Sequence, residues 1–483
     1  MKKYILAALF CGTFTFCSCS GFLDEVPKGQ ITTESYYRTE QHAISATNAI
    51  YNYLIMGYSP GGLWDKNYGG VFYNDYWVLQ DLFSDNANSQ QASIQYTSVD
   101  NMQIDQYNEP VELLWRDFYQ TIKCCNVVID KVPAIDMDDI LKKHLIAEAK
   151  FFRGMMYFDL IRMFGDVPLR EHNLESADEG SMVRVSKDEI YKLIFEDLIT
   201  AETDLKYSPR YGGGRPYPES ASALLARVYL TYAAEHNDTE YYELAVKKAD
   251  AVIPKFPMLE NYADLFKISA SLSDGWAGAQ FLVRLLPNMD GVDNAQGWES
   301  ATENLYSSFN ANDARLPVVL KRSVTYQDGT VKQFAEPYVF KYWDQEAEPK
   351  GNSTDAIFPA IRTAEMYLIK AEALNAINQG PTPDAVKAIK KVRDRAGLAS
   401  DNLPTDYEGF KKVVLEEYRH EFVMEGHRWF DLTRMCTPQE FVDIIKAAKP
   451  DATPQLYHVK FPIPQRERDL SQGQITQNEG YNQ

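Results

Sequence analysis

Glu417, Glu421 and Glu425 recur at four-residue steps in the run Glu417-Tyr-Arg-His-Glu-Phe-Val-Met-Glu-Gly-His-Arg-Trp-Phe-Asp-Leu432. On a helix the three share one face, and Arg428 and Asp431 follow at the next i+3 steps. Two carboxylates about 5 to 9 Å apart are the equipment of glycoside hydrolysis, so a surface glycoside hydrolase is one chemistry to weigh. Arg419, Arg428 and Asp431 interleave with the acids, however, and an unpaired buried charge costs several kcal/mol. Glu417, Arg419, Glu421, Glu425, Arg428 and Asp431 are therefore read as a structural ion network. His420-Glu421 with His427 invites a zinc reading, but that helix motif needs histidines four apart; seven residues put them ~10 Å apart along the axis. Gly212-Gly-Gly214 lacks the Lys-Ser or Lys-Thr of a phosphate loop and reads as a turn. Asp290-Gly-Val-Asp293-Asn294 does not complete a calcium loop, lacking the acid or Asn at its third position, the Gly at its sixth and the Glu at its twelfth. No metal or cofactor is implied.

Aromatic residues carry a sharper expectation. Sugar rings present flat C–H faces that stack on indole or phenol, so a carbohydrate binder needs exposed aromatics on loops. Trp298, in Gln296-Gly-Trp-Glu299, and Trp276, in Asp274-Gly-Trp-Ala-Gly278, follow glycines in turns, where packing partners are fewer. Tyr96 ends the polar stretch Ser84 to Gln95, and Asn101 is a polar candidate nearby. Trp115 and Trp429 lie in helical patterns and are expected in the core.

The elements that must position these residues are mostly helical. Ala149, Phe152, Met156, Leu160 and Met163 recur at three- and four-residue steps, and the run closes at Gly165-Asp-Val-Pro168, which predicts an amphipathic helix from Leu145 to Phe164. Residues 220–253 and 362–397 each read as two small-residue helices joined by a polar turn, a period of about 34 residues like that of tetratricopeptide units. A further pair is expected from Val111 to Phe164, and another from Ser186 to Leu205 with the Glu417 helix. Stacked repeats bury each other's faces in one continuous core, so residues 19–483 are read as a single domain. From about residue 256 to 359 the periodicity fails in a loop-rich lobe, within which Ser323 to Val331 centres an Asp-Gly hairpin turn. The expected fold class is all-α dominated, a tetratricopeptide-like scaffold with an irregular, partly β-hairpin lobe.

The N-terminus has Lys2 and Lys3 and then an apolar run from Tyr4 to Phe16, too short to span a bilayer and suited to a signal peptide. It ends at Cys17-Ser-Cys19, where Cys19 follows a small residue. Cleavage after residue 18 would leave Cys19 as a lipidated first residue, and the several chains of a bacterial lipoprotein anchor stably. Losing residues 1–18 removes two lysines and no acid, moving the formal net charge from −19 to −21. Phosphate polymers would be repelled, so nucleic acid is excluded as a partner. Cys124 and Cys125 sit side by side in an apolar helical run and suit packing, and the chain has no C-x-x-C motif.

With the Glu417 to Leu432 run, four further segments resemble the RagB/SusD family of outer-membrane nutrient-binding lipoproteins. These are Phe22-Leu-Asp-Glu-Val-Pro27, Ala147 to Arg153 with Phe164-Gly-Asp-Val-Pro-Leu169, Ile361 to Ala373, and Lys460 to Tyr481 with its Gln477-Asn-Glu-Gly-Tyr481 ending. Tyr418 departs from an arginine of the family pattern, and Phe422 and Met424 are apolar replacements. The resemblance spans nearly the whole chain. It implies a non-enzymatic binder of glycans, in some members peptides, anchored by its acylated cysteine in outer-membrane lipid and exposed on the cell surface. It also implies a partner, a SusC-like TonB-dependent transporter, and ligand contacts in the irregular lobe and early loops, where the family places a stacking tryptophan such as Trp298.

Overall fold

The computed structural model describes residues 37–55, 70–72, 75–174, 183–206, 214–262, 284–289, 295–326, 328–343 and 360–481. Helices dominate: α1 (Glu40–Ile55), α2 (Asp75–Leu82), α3 (Ile94–Asp100), α4 (Glu109–Lys131), α5 (Asp139–Phe164), α6 (Lys187–Asp204), α7 (Pro218–His236) and α8 (Thr239–Val252) form the first part. The lobe contributes α9 (Glu303–Ser308) and α10 (Leu316–Val319). The last part contains α11 (Thr363–Asn378), α12 (Pro383–Arg395), α13 (Tyr407–Glu421), α14 (Arg428–Met435), α15 (Pro438–Ala448) and α16 (Gln465–Leu470).

Capping explains the helix boundaries. Asn108, Asp138, Ser186, Asp238, Thr382 and Asp406 each accept a first-turn N–H at their helix starts. The turn between α7 and α8 places Asn237 in the left-handed region immediately before the Asp238 cap, and α5 ends at Gly165, φ +73°. Consecutive helices pack as α4 on α5, α5 on α6, α6 on α7, α7 on α8 and α11 on α12, with α8 against α11 joining the two parts. The expected pairs over 220–253, 362–397 and 111–164 are therefore present. The fourth pair is not: α6 packs between α5 and α7, whereas α13 lies on α11 and α12.

Helix α5 also departs from its amphipathic reading, because from Ala147 to Phe164 nearly every residue is buried. Its charges must then find partners inside. Arg153 does so through a two-pronged bond to Asp197 of α6, at 2.7 and 2.9 Å. Trp115 and Trp429 are core residues, as expected, at 1% and 0% exposure. Cys125 is buried in α4, and Cys124, Cys125 and Cys436 are free thiols.

The strands are few and short. β1 (Ala87–Ser89) pairs antiparallel with β2 (Glu299–Ala301), Ser89 opposite Glu299, and β3 (Leu320–Thr325) pairs with β4 (Val331–Val339). Gly329, φ +85°, makes the expected hairpin turn. Leu286, Met289, Ala295, Val324 and Phe340 form a small hydrophobic cluster of the lobe's own. The C-terminal segment is sewn to α5 by side chains: Asn478 Nδ2 donates to the carbonyls of Phe164 and Phe461, and Gln477 exchanges bonds with the backbone of Ile463. No described helix is long and apolar enough to cross a membrane.

Candidate functional site

The acidic run is not one helical stripe. α13 ends at Glu421, and the chain turns through residues 422–427 before α14, with Met424 at φ +51° and Gly426 at φ +68°. A Cβ on Gly426 would sit 2.9 Å from the Trp77 ring, so glycine is required there by both conformation and space. The partners of the three glutamates consequently come from far along the chain. Glu417 accepts from Arg315 (2.7 Å) and Arg393 (3.1 Å). Glu421 accepts from Arg362 (2.6 Å), Arg315 (3.3 Å) and Arg395. Glu425 accepts from Arg362 (2.9 Å) and Lys341 (2.8 Å). Burial alone would raise the Glu421 carboxyl; Arg395, Arg362 and Arg315 outweigh it and hold it at about 2.

The remaining motif residues serve a second junction. Arg428 grips both oxygens of Asp85, at 2.8 and 3.0 Å, and Arg419 reaches Asp85 at 2.9 Å and Asn86 Oδ1 at 2.9 Å. Burial would raise the Asp85 carboxyl, but the two guanidiniums override it and keep it well below the ordinary range. Asp431 pairs with Arg434, which also holds Glu372. The histidines are packed: His420 Nε2 meets Ser308 Oγ at 2.8 Å, and the His427 ring stacks on Phe422 at 4.4 Å. Among the described residues no group of three or more His, Cys, Asp or Glu side chains could hold a metal ion.

The Asp85 junction fixes the segment that leads to the aromatics. Thr302 donates its N–H to Asn86 O (2.8 Å) and its hydroxyl to Asp85 O (2.7 Å), which docks β2 beside β1. One residue before β2 stands Trp298, its carbonyl accepting from Gln90 N–H at 3.1 Å and its own N–H donating to Arg284 O at 3.0 Å. The Trp298 ring lies 5.7 Å from that of Tyr96 at 52°, the Arg284 guanidinium sits 5.3 Å from the indole, and the indole N–H donates to Gln296 Oε1. Tyr96, partly buried against the main core, commits its hydroxyl to Asp75 (2.6 Å). Gly297, φ +57°, packs under Tyr338, where a Cβ would lie 3.1 Å from the ring.

Two of the expected contact residues, Tyr96 and Trp298, thus meet. Trp298 is not spare in the sense its turn context suggested: it is half-buried and packs against the main core. Asn101 ends α3, its backbone capping the helix while its carbonyl accepts from Thr453 N–H at 2.9 Å. Trp276, Cys19, the signal segment 1–18 and Asp290–Asn294 lie outside the described residues. Gln90, Gln296, Arg284 and Asp75 escaped sequence reasoning because polar residues in loops carry no spacing signal. Ile94, at the start of α3, and Tyr107, just before α4, are 78% and 66% exposed, and Gln95 joins the two helix starts through Asn108 and Glu109.

Comparison with known proteins agrees in both halves of the chain. The SusD family pattern matches residues 293–481, and a second one, described as starch-binding associating with outer membrane, matches residues 22–230. SusD-like protein P2 of Formosa agariphila is 26% identical over 473 residues, covering 90% of this chain and 91% of that protein. A crystal structure of a SusD superfamily protein from Parabacteroides distasonis superposes with TM-score 0.78 at 24% identity, over 94% of this chain and 100% of that one. A laminarin-binding SusD-like protein superposes with TM-score 0.73 at 23% identity, over 92% and 100%.

Proposed function

The chain belongs to the SusD/RagB family, and from that premise we propose that it is a cell-surface lipoprotein that binds glycan oligomers and delivers them to a SusC-like TonB-dependent transporter. The observation that carries the glycan reading is the meeting of Tyr96 and Trp298 beside Gln90, Gln296 and Arg284. Two rings set at an angle can follow the turn of a sugar chain, and the amides and guanidinium are suited to its hydroxyls. The starch-binding description of the family segment over residues 22–230 and the laminarin-binding relative support the same class of ligand. The Glu417, Glu421 and Glu425 carboxylates are committed to cations, which favours binding over hydrolysis as their context.

Trp298→Ala is expected to weaken glycan binding by roughly 1 to 3 kcal/mol, the scale of burying a large apolar side chain. Tyr96→Phe should leave binding nearly unchanged, because the hydroxyl it removes already belongs to Asp75. Calorimetric titration against a panel of polysaccharides and peptides tests both. Preference for peptides would move the chain to the peptide-binding branch of the reading, and new reducing ends during incubation would make it a hydrolase. Anchoring is tested separately: palmitate labelling and surface protease shaving of intact cells should both report a lipoprotein, and Cys19→Ala should lose the label. Labelling that survives the substitution rejects Cys19.

A further inference from the structure

Glu299 follows Trp298 directly, and its side chain turns inward to the neighbourhood of Asp81 on α2. Both residues are 1% exposed, and none of their four carboxylate oxygens accepts a well-formed hydrogen bond from the described residues. Such orphaned buried groups are costly when ionised. The charged groups around them come from every neighbouring element, and each has another commitment. Lys449, after α15, donates to Leu82 O (2.6 Å) and Asp100 Oδ1 (2.8 Å). Lys341, after β4, donates to Val423 O and Glu425 (2.8 Å). The turn after α13 adds the Gly426 N–H, which faces Asp81. Ionising both Asp81 and Glu299 would therefore place two more negative charges beside two lysines already paired with other acids.

We propose that the Asp81 and Glu299 pair retains a proton at neutral pH and forms a pH-responsive joint between α2 and β2, the strand that follows Trp298. Protonated, the pair lets the strand pack; on losing that proton it sets two like charges against each other under the aromatic surface. The direction of the shifts agrees. Burial pushes Asp81 up to about 7 against the opposing pull of Lys341, and burial together with the charge of Asp81 raises Glu299 well above the ordinary range. The folded chain then binds more protons than the unfolded one, so this contribution is complete below the ordinary carboxylate range, about 4, and is lost as pH rises through about 7 and above. The joint does not depend on which ligand the surface takes.

Melting curves of the purified protein across pH, with and without EDTA, test it on wild type, Glu299→Gln and Asp81→Asn. Glu299→Gln keeps the shape and needs no proton, so it should melt higher than wild type above neutral pH, and its Tm should fall less steeply as pH rises. Asp81→Asn should flatten the profile in the same sense, which preserves the test if the first variant fails to fold. A protonated-carboxyl infrared band that persists at neutral pH in wild type and weakens in Glu299→Gln, which removes the carboxyl held higher, is the direct signature. Variants that melt lower with the wild-type slope, absence of the band, or a wild-type Tm that drops on EDTA addition would overturn the joint, the last in favour of a bound cation.

Discussion

Glu425→Ala is expected to destabilise the protein by about 3 to 5 kcal/mol, the cost of removing one partner from a buried ion pair. Glu425 is 1% exposed and answers two cations that have nowhere to retreat: Lys341, 4% exposed, and Arg362, 6% exposed. Arg362 keeps Glu421 after the change, whereas Lys341 loses the carboxylate that holds it at 2.8 Å while keeping its bond to the carbonyl of Val423. Burial already lowers the Lys341 ammonium to about 8, with Glu425 the leading force holding it up. Without Glu425 it falls further, and the folded state then binds fewer protons than the unfolded chain over a wider range. The deficit relative to wild type should therefore narrow as pH is raised from about 6 to about 8. Denaturant melts at the two pH values read both the size and the slope; a deficit independent of pH would show that Lys341 is not the stranded charge.

The helical frame was legible because its signals are local. Asp238 after Asn237, and Thr382 before Pro383, mark helix boundaries through a few adjacent residues, and each caps the helix that follows it. The acidic run shows the opposite case. Four-residue spacing suggested a single helix, yet the chain breaks at residues 422–427, and Gly426 was the one local hint of it. The partners of the run, Asp85, Arg315, Lys341 and Arg362, lie roughly 60 to 340 residues away, as the separations of Arg362 from Glu425 and of Asp85 from Arg428 show. No periodicity connects them. The site is intermediate: Tyr96 and Trp298 could each be picked as loop aromatics, but their contact depends on a three-residue pairing of β1 with β2, too short to leave a pattern. Asn101 sits at the end of α3, where its backbone caps the helix and ties to Thr453.

Asp85→Ala should cost a comparable amount, about 3 to 5 kcal/mol, and unlike Glu425→Ala it should also damage ligand binding. Asp85 is the common acceptor of Arg419 and Arg428, and both arginines are buried. Arg428 would retain Glu416 and Leu415 O, and Arg419 would retain Asn86, so the loss is of the carboxylate that neutralises them rather than of every bond. The same residue's backbone carbonyl holds the Thr302 hydroxyl, and its neighbour Asn86 holds the Thr302 N–H. Loosening residues 85–89 therefore loosens β2 and the adjoining Trp298. The shift at Asp85 is downward, so its contribution is present above the unfolded value, about 4, and is lost as pH falls below it. Wild type should thus lose stability on acidification in that window by more than Asp85→Asn does. Measured well below the melting temperature, Glu425→Ala is expected to bind ligand as wild type does while Asp85→Ala binds more weakly. Equal binding in the two would mean that the β1 and β2 pairing holds without its ionic anchor, and that the motif supports the scaffold alone.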